Sequence, residues 1–225
     1  MGSRARAAVW VGLAGVPAAL VTAAGTYWFV LRPWHLTWGA TASEVESAWT
    51  GDHLIPHPMG ECTHAITIHR PAAAVWPWLA QIGQGRGGFY SYAWLENLLG
   101  CRMENADRIM PEHQQLHVGD PILMHPSAPP LTVAILEPGR ALVLVATEAQ
   151  DGLEVVSGTW AFFLRDLGER AARLVVRTRW TWVPGLLRWI GHRAGLEPAH
   201  FVMERRMLLG IKRRAETATA PAAPR

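Results

Sequence analysis

Between Arg173 and Trp182 apolar and polar positions alternate. Leu174, Val176, Thr178, Trp180 and Trp182 fall on one side of an extended strand. Arg173, Val175, Arg177, Arg179 and Thr181 fall on the other. A period of two predicts a sheet with one face in a core and one in water. "GTWAFFLR" repeats the pattern, placing Trp160, Phe162 and Leu164 together, so both inner faces carry tryptophan. "LTVAILE" (Leu131–Glu137) and "ALVLVAT" (Ala141–Thr147) are β-branched apolar runs, joined by the tight-turn sequence Glu137-Pro138-Gly139-Arg140, and predict a hairpin. "THAITIH" (Thr63–His69) and "DPILMH" (Asp120–His125) predict two further strands.

The periodicity then changes. From about Glu197 to Glu216, Ala199, His200, Met203, Met207, Gly210 and Ile211 form one stripe at 100° per residue, with Glu204 beside it. This helix must cover the sheet's inner face. A second helix is predicted in "RPAAAVWPWLAQI", with Pro71 at its start. A third is "YAWLENLL", capped by Ser91 and stopped by Gly100. "GQGRGG" (Gly83–Gly88) between them fits G-x-G-x-x-G, but a dinucleotide fingerprint follows a strand and opens a helix. These glycines join helix to helix, so they are read as a turn.

"AAVWVGLAGVPAALVTAAGTYWFVL" (Ala7–Leu31) holds 25 uncharged residues. As a helix it spans roughly 37 Å, enough to cross a bilayer. A cleaved signal peptide competes, because "VTAAG" offers small residues, but Tyr27–Leu31 continue the apolar run past that point. The expectation is a single-pass membrane anchor. Arg4 and Arg6 precede it and Arg32 follows, so the positive-inside count places the N-terminus in the cytoplasm and the domain outside by one arginine. The expected divisions are a cytoplasmic stub and transmembrane helix (1–32), a linker with a short amphipathic helix (33–62), a folded domain (63–216) and a disordered tail (217–225). In the linker, Thr41 with Glu44, or Ser43 with Glu46, reads as a capping box.

Composition adds limits. The charge of +3 is modest, and no basic stripe with interleaved aromatics predicts nucleic-acid binding. Cys62 and Cys101 are read as buried thiols, with a bridge dependent on compartment and geometry. His113 with His117, and His53 with His57, are spaced i, i+4 but sit in Pro- and Gly-marked loops without a cysteine pattern. Neither a metal nor a cofactor is expected. His200 and Glu204, one helical turn apart, are either a general acid–base dyad or a structural pair at the core's edge.

The residues "HRPAAAVWPWLAQIG", "VAILEPGRALVL", "GTWAFFLRDLGERAARLVVRTRW" and "FVMERRMLLGIKRRAE" resemble the START-related SRPBCC superfamily, which includes polyketide cyclases and dehydratases and lipid-transfer domains. The resemblance covers about Thr63–Glu216. It implies an α+β helix-grip fold: a curved antiparallel sheet and two short helices wrapped around a long C-terminal helix, here preceded by one transmembrane helix. It also implies a cavity between sheet and helix, with the glycine corner as a mobile rim. Trp160, Phe162, Thr178 and Trp180 would line that cavity from the sheet, and His200, Met203 and Met207 from the helix. Tyr90 and Arg86 would stand at the rim, Arg86 to meet an acidic head group. The partner implied is a hydrophobic small molecule or lipid at a membrane. A cyclase- or dehydratase-like enzyme in the same cavity, and an interaction domain whose aromatics fill it, remain open. If Ala7–Leu31 is an uncleaved anchor, the full-length chain resists carbonate extraction. Recovery of a soluble chain lacking Tyr27–Leu31 would establish cleavage instead.

Overall fold

The computed structural model describes residues 19–150 and 153–218. The chain divides into two compact units at Leu36/Thr37. In the first, the described residues 19–36 are helical, with a π-helical stretch over Tyr27–Leu31. Among the described residues no helix is long and apolar enough to cross a membrane. Residues 7–18 of the predicted anchor lie outside them, as do residues 219–225 of the tail.

The second unit is built on a six-stranded antiparallel sheet in the order β1-β6-β5-β4-β3-β2. Its strands are β1 (Gly60–Ile68), β2 (Pro121–Ile122), β3 (Leu131–Glu137), β4 (Ala141–Gln150), β5 (Leu153–Asp166) and β6 (Ala172–Trp180). The β3–β4 hairpin turns where Pro and Gly predict, with Gly139 at φ +77° and Arg140 N–H donating to Glu137 O at 2.9 Å. Only Pro121–Ile122 of the predicted Asp120–His125 strand pairs.

The helices are α1 (Ala42–Glu46), α2 (Ala72–Ala80), α3 (Ala93–Leu98), α4 (Leu186–Ile190) and α5 (Glu197–Thr217). Helix α5 lays Met207, Leu208 and Ile211 on the inner sheet face, against Phe162, Leu174 and Val176. Val75, Trp78 and Leu79 of α2 close the same core. The arrangement is the expected helix-grip.

The glycine corner closes on its own backbone. Gly83 and Gly88 exchange backbone hydrogen bonds of 3.1 and 3.0 Å, both at positive φ. Helix α5 then passes so close that a Cβ on Gly210 would stand 2.2 Å from Tyr90 O. Ser91 does not cap α3. Its hydroxyl donates to Met203 O of α5 at 2.9 Å, because the corner is held against that helix.

The outer face corrects the sequence reading. Arg173, Arg177 and Arg179 alternate onto it as predicted, but residues 37–59 cover them instead of water. The expected linker is a strap. Its helix α1 carries the predicted capping box of Thr41 and Glu44. Glu44 is buried and accepts from Arg173 Nε at 2.8 Å and Nη2 at 2.7 Å. Arg177 is buried and reaches Asp52 Oδ2 at 2.9 Å, with further bonds to the carbonyls of Glu44, Val45 and Ser47. Arg179 bonds Glu61 and the Asp52 carbonyl. Trp49 stacks at 4.6 Å on Phe163, within a second small core around Val143 and Val175. Alternation reports side-chain direction, and it cannot tell water from a strap that supplies carboxylates and carbonyls.

The Arg173 hydrogen bond holds the Glu44 carboxyl down at about 2, against 4.5 ordinarily, in spite of its burial. A carboxyl depressed on folding contributes stability above its unfolded value, and the contribution is lost as pH falls toward the folded one. That difference corresponds to about 3 kcal/mol. Glu44→Gln is therefore expected to cost about 3 kcal/mol in urea unfolding at pH 7 and to lose less stability than the parent between pH 4.5 and 2. Parallel pH curves for parent and variant would contradict this.

Candidate functional site

Three neighbouring strands place a row of side chains under the start of α5. In the sheet register Cys62 of β1 pairs with Thr178 of β6, which pairs with Trp160 of β5. His64 lies two residues beyond Cys62, so the same face carries both. Opposite them, His200 and Glu204 share one face of α5.

These groups converge on one carboxylate. Glu204 is buried, as are Cys62 and His64. Trp160 Nε1 donates to Glu204 Oε1 at 2.9 Å. His64 Nδ1 stands 2.8 Å from Oε2, and an ionised carboxylate can only accept, which puts the proton on Nδ1. Cys62 Sγ donates to the same oxygen at 4.0 Å. His200 Nε2 is also 2.8 Å from Oε2, an ion-pair contact whose angle falls short of a hydrogen bond. Cys62 and Cys101 are free thiols, so no bridge forms.

The electrostatics follow from burial and these neighbours. Burial acts most strongly on Glu204, pushing its carboxyl up, yet the charges and hydrogen bonds of His200 and His64 outweigh it. The carboxyl is held well below the ordinary range. For His200, burial opposes the charged form, and the Glu204 carboxylate overcomes it, so the imidazole is raised well above 6.5. Its side chain keeps 27% exposure, so water screens part of this effect. Burial pushes the Cys62 thiol up, and the Glu204 charge adds to that, so Cys62 stays protonated beside the ion pair.

The pair faces a cleft with two lobes. The first, of about 300 Å³, is lined by Leu131, Ala146, Thr178, Trp180 and His200, among others. The second, of about 360 Å³, is lined by Phe89, Glu96, Cys101, Met203, Glu204 and Met207, among others. Trp160, Met124, Leu196 and His200 border both. Thus Trp160 and His200 border both lobes, Thr178 and Trp180 line the first, and Met203 and Met207 line the second. Trp160 and Trp180 line the first lobe and Phe89 and Trp160 the second.

Three predicted site residues line neither lobe. Phe162 is wholly buried beneath Trp160, their rings 4.9 Å apart, because it packs into the grip-helix core. Tyr90 is buried, donates its hydroxyl to Trp78 O at 2.9 Å and lies under the Arg214 guanidinium. Arg86 is folded back onto the carbonyls of Ala80 and His113, at 2.9 and 3.1 Å, and borders a separate polar groove with Arg102 and Glu104. The Gly-rich turn closes on its own backbone, and the arginine satisfies one carbonyl at the end of α2 and one of the Pro111–His113 turn.

Sequence reasoning missed Cys62, His64 and Glu96. The first two were within reach, since Cys62-x-His64 has the parity of Ile66 and Ile68 once the strand starts at Gly60. Glu96 gave no signal, as it reads as a solvated position on a short helix. It is buried on α3, its Oε2 has no hydrogen-bond partner, and burial pushes its carboxyl up.

No family model matches the chain, and no curated protein is similar to it. Solved structures are. The di-domain ARO/CYC BexL from the BE-7585A biosynthetic pathway is 17% identical with a TM-score of 0.43, over 72% of this chain and 48% of that one. The Zhui aromatase/cyclase from Streptomyces sp. R1128 is 15% identical with a TM-score of 0.35, over 70% and 93%. Protein MLL2253 from Mesorhizobium loti is 14% identical with a TM-score of 0.36, over 70% and 98%.

Proposed function

We propose that this is an SRPBCC-type helix-grip domain that binds a largely apolar small molecule between the sheet and α5. The observation that carries the reading is the cleft itself. Two lobes with predominantly hydrophobic walls meet at Trp160 and His200, and their volumes of about 300 and 360 Å³ lie within the range of ligand pockets. A ligand occupying both would lay an apolar body against Trp160 and Trp180 and bring a polar group to His200. The apolar N-terminal stretch supports a membrane-anchored form of the same domain.

A second reading, an acid–base enzyme in this cleft, is favoured by a specific contrast. Glu96 and Glu204 border the same lobe, and their surroundings push their carboxyls in opposite directions. Such divergence separates a proton donor from an ionised partner. Glu96 would donate to a ligand oxygen, and His200, oriented by Glu204, would exchange a proton on the other side.

The space is tested by filling it. Met207 suits this poorly, being fully buried in the core as well as at the lobe's floor. Ala146 borders the first lobe and is partly exposed. An environment-sensitive apolar probe is expected to bind the full chain and quench tryptophan fluorescence. Ala146→Trp should weaken it at least about tenfold while urea stability holds. A loss of about 1–3 kcal/mol with no probe binding to the parent would mean a packed interior and contradict the reading. In the same assay, Glu96→Gln and His200→Gln should weaken a carbonyl-bearing probe more than its hydrocarbon counterpart. Equal effects on both probes would remove the acid–base reading and leave binding alone.

A further inference from the structure

Cys62 Sγ, a ring nitrogen of His200 and a Glu204 carboxylate oxygen lie within 4.8 Å of one another. We propose that these three side chains hold a divalent transition-metal ion, zinc by donor chemistry, with a fourth position open to the cleft. The proposal rests on the cleft reading only for what that open position faces.

The donor set is the first argument. One sulfur, one imidazole nitrogen and one carboxylate oxygen suit zinc and cobalt, whereas magnesium and calcium call for oxygen throughout. Spacing is the second. Bonds of about 2.0–2.3 Å place tetrahedral donor atoms roughly 3.3–3.8 Å apart. The His200–Glu204 separation of 2.8 Å and the Cys62–Glu204 separation of 4.0 Å bracket that range, so small side-chain rotations suffice.

The third argument is support. A ligating carboxylate needs partners that fix its direction. Glu204 has two, Trp160 Nε1 on Oε1 and His64 Nδ1 on Oε2. The ligands stand on a strand and a long helix, elements that hold a geometry better than loops do. His200 Nε2 is close to the carboxylate without making a hydrogen bond to it, so its ring direction is not spent on that oxygen.

Charge balance is the fourth. With metal, the carboxylate and a Cys62 thiolate together cancel the charge of a divalent ion. Binding exchanges the Cys62 thiol proton, and the second ring proton of His200 where present, for the ion, and both protons leave to solvent. No oxidant or reductant is involved. The partly exposed edge of His200, bordering both lobes, gives the ion its way in. The surface pairs His113/His117 and His53/His57 have no third donor grouped with them among the described residues.

The test is a Co²⁺ titration of the full-length chain after chelator stripping. One equivalent is expected to bind with a thiolate-to-cobalt absorption in the near ultraviolet, which one equivalent of Zn²⁺ abolishes. Cys62→Ser should lose that absorption, and Cys101→Ser should keep it. Absence of the band in folded parent protein, its persistence in Cys62→Ser, or its loss in Cys101→Ser would overturn the site. Should Cys62→Ser not fold, X-ray absorption of the zinc-loaded parent decides. One sulfur at about 2.3 Å with nitrogen or oxygen at about 2.0–2.1 Å supports the site, and a shell without sulfur overturns it. Apolar-probe binding to the stripped chain is read separately, so a missing metal with intact probe binding removes the metal site alone.

Discussion

A carboxylate inside a protein is costly. Removing its water sacrifices several kcal/mol, which the surroundings must return through charge and hydrogen bonds. Glu204 is in that position, and the inner half of this domain is arranged around its compensation. Strand β1 supplies His64 and Cys62, strand β5 supplies Trp160, and α5 supplies His200 one turn away. Shifting α5 along its axis by one residue, or β1 by one position in its register with β6, would strand the charge. The carboxylate therefore sets the register of helix on sheet as well as the chemistry of the cleft. Apolar packing of Met207, Leu208 and Ile211 further along α5 is less particular about register, since cores tolerate repacking of similar volume.

The outer face solves a related problem with opposite signs. There the sheet contributes the cations, Arg173, Arg177 and Arg179, and the strap contributes Glu44 and Asp52, with Glu61 of β1 beside Arg179. Arginine suits this role because its planar fork bonds carboxylate and carbonyl oxygens together. Both faces are thus covered, one by a helix bearing a buried anion and one by a strap bearing two. The sheet between them is held from two sides at its β1–β6 end, which is where the site residues of β1 project.

Much of the scaffold was legible because it obeys periodicity. The alternation of β5 and β6, the β3–β4 turn and the stripe on α5 led to the observed antiparallel sheet and long helix, and His200 with Glu204 could be paired by spacing alone. What escaped depended on groups brought together by tertiary contact. Cys62 and His64 sit 142 and 140 residues from Glu204 in sequence, and no local pattern announces that meeting. Arg177 reads as a solvated position until the strap is seen to cover it. Arg86 and Tyr90 were placed at a rim by analogy, whereas the glycine corner turns Arg86 onto the carbonyls of Ala80 and His113 and Tyr90 onto that of Trp78. The close approach at Gly210 was equally hidden, since a glycine in a helical stripe reads as a weak position and not as a backbone contact.

The central claim is that the buried Glu204 charge controls the state of His200 at the cleft. Imidazole NMR of the full-length, chelator-stripped chain measures this directly, by following the His200 ring through a pH titration in the parent and in Glu204→Gln. The parent should keep His200 protonated well above pH 6.5, and the variant should bring it below that value, because burial then acts without its counter-charge. A parent His200 that titrates at or below 6.5, or an unchanged titration in the variant, would contradict the account.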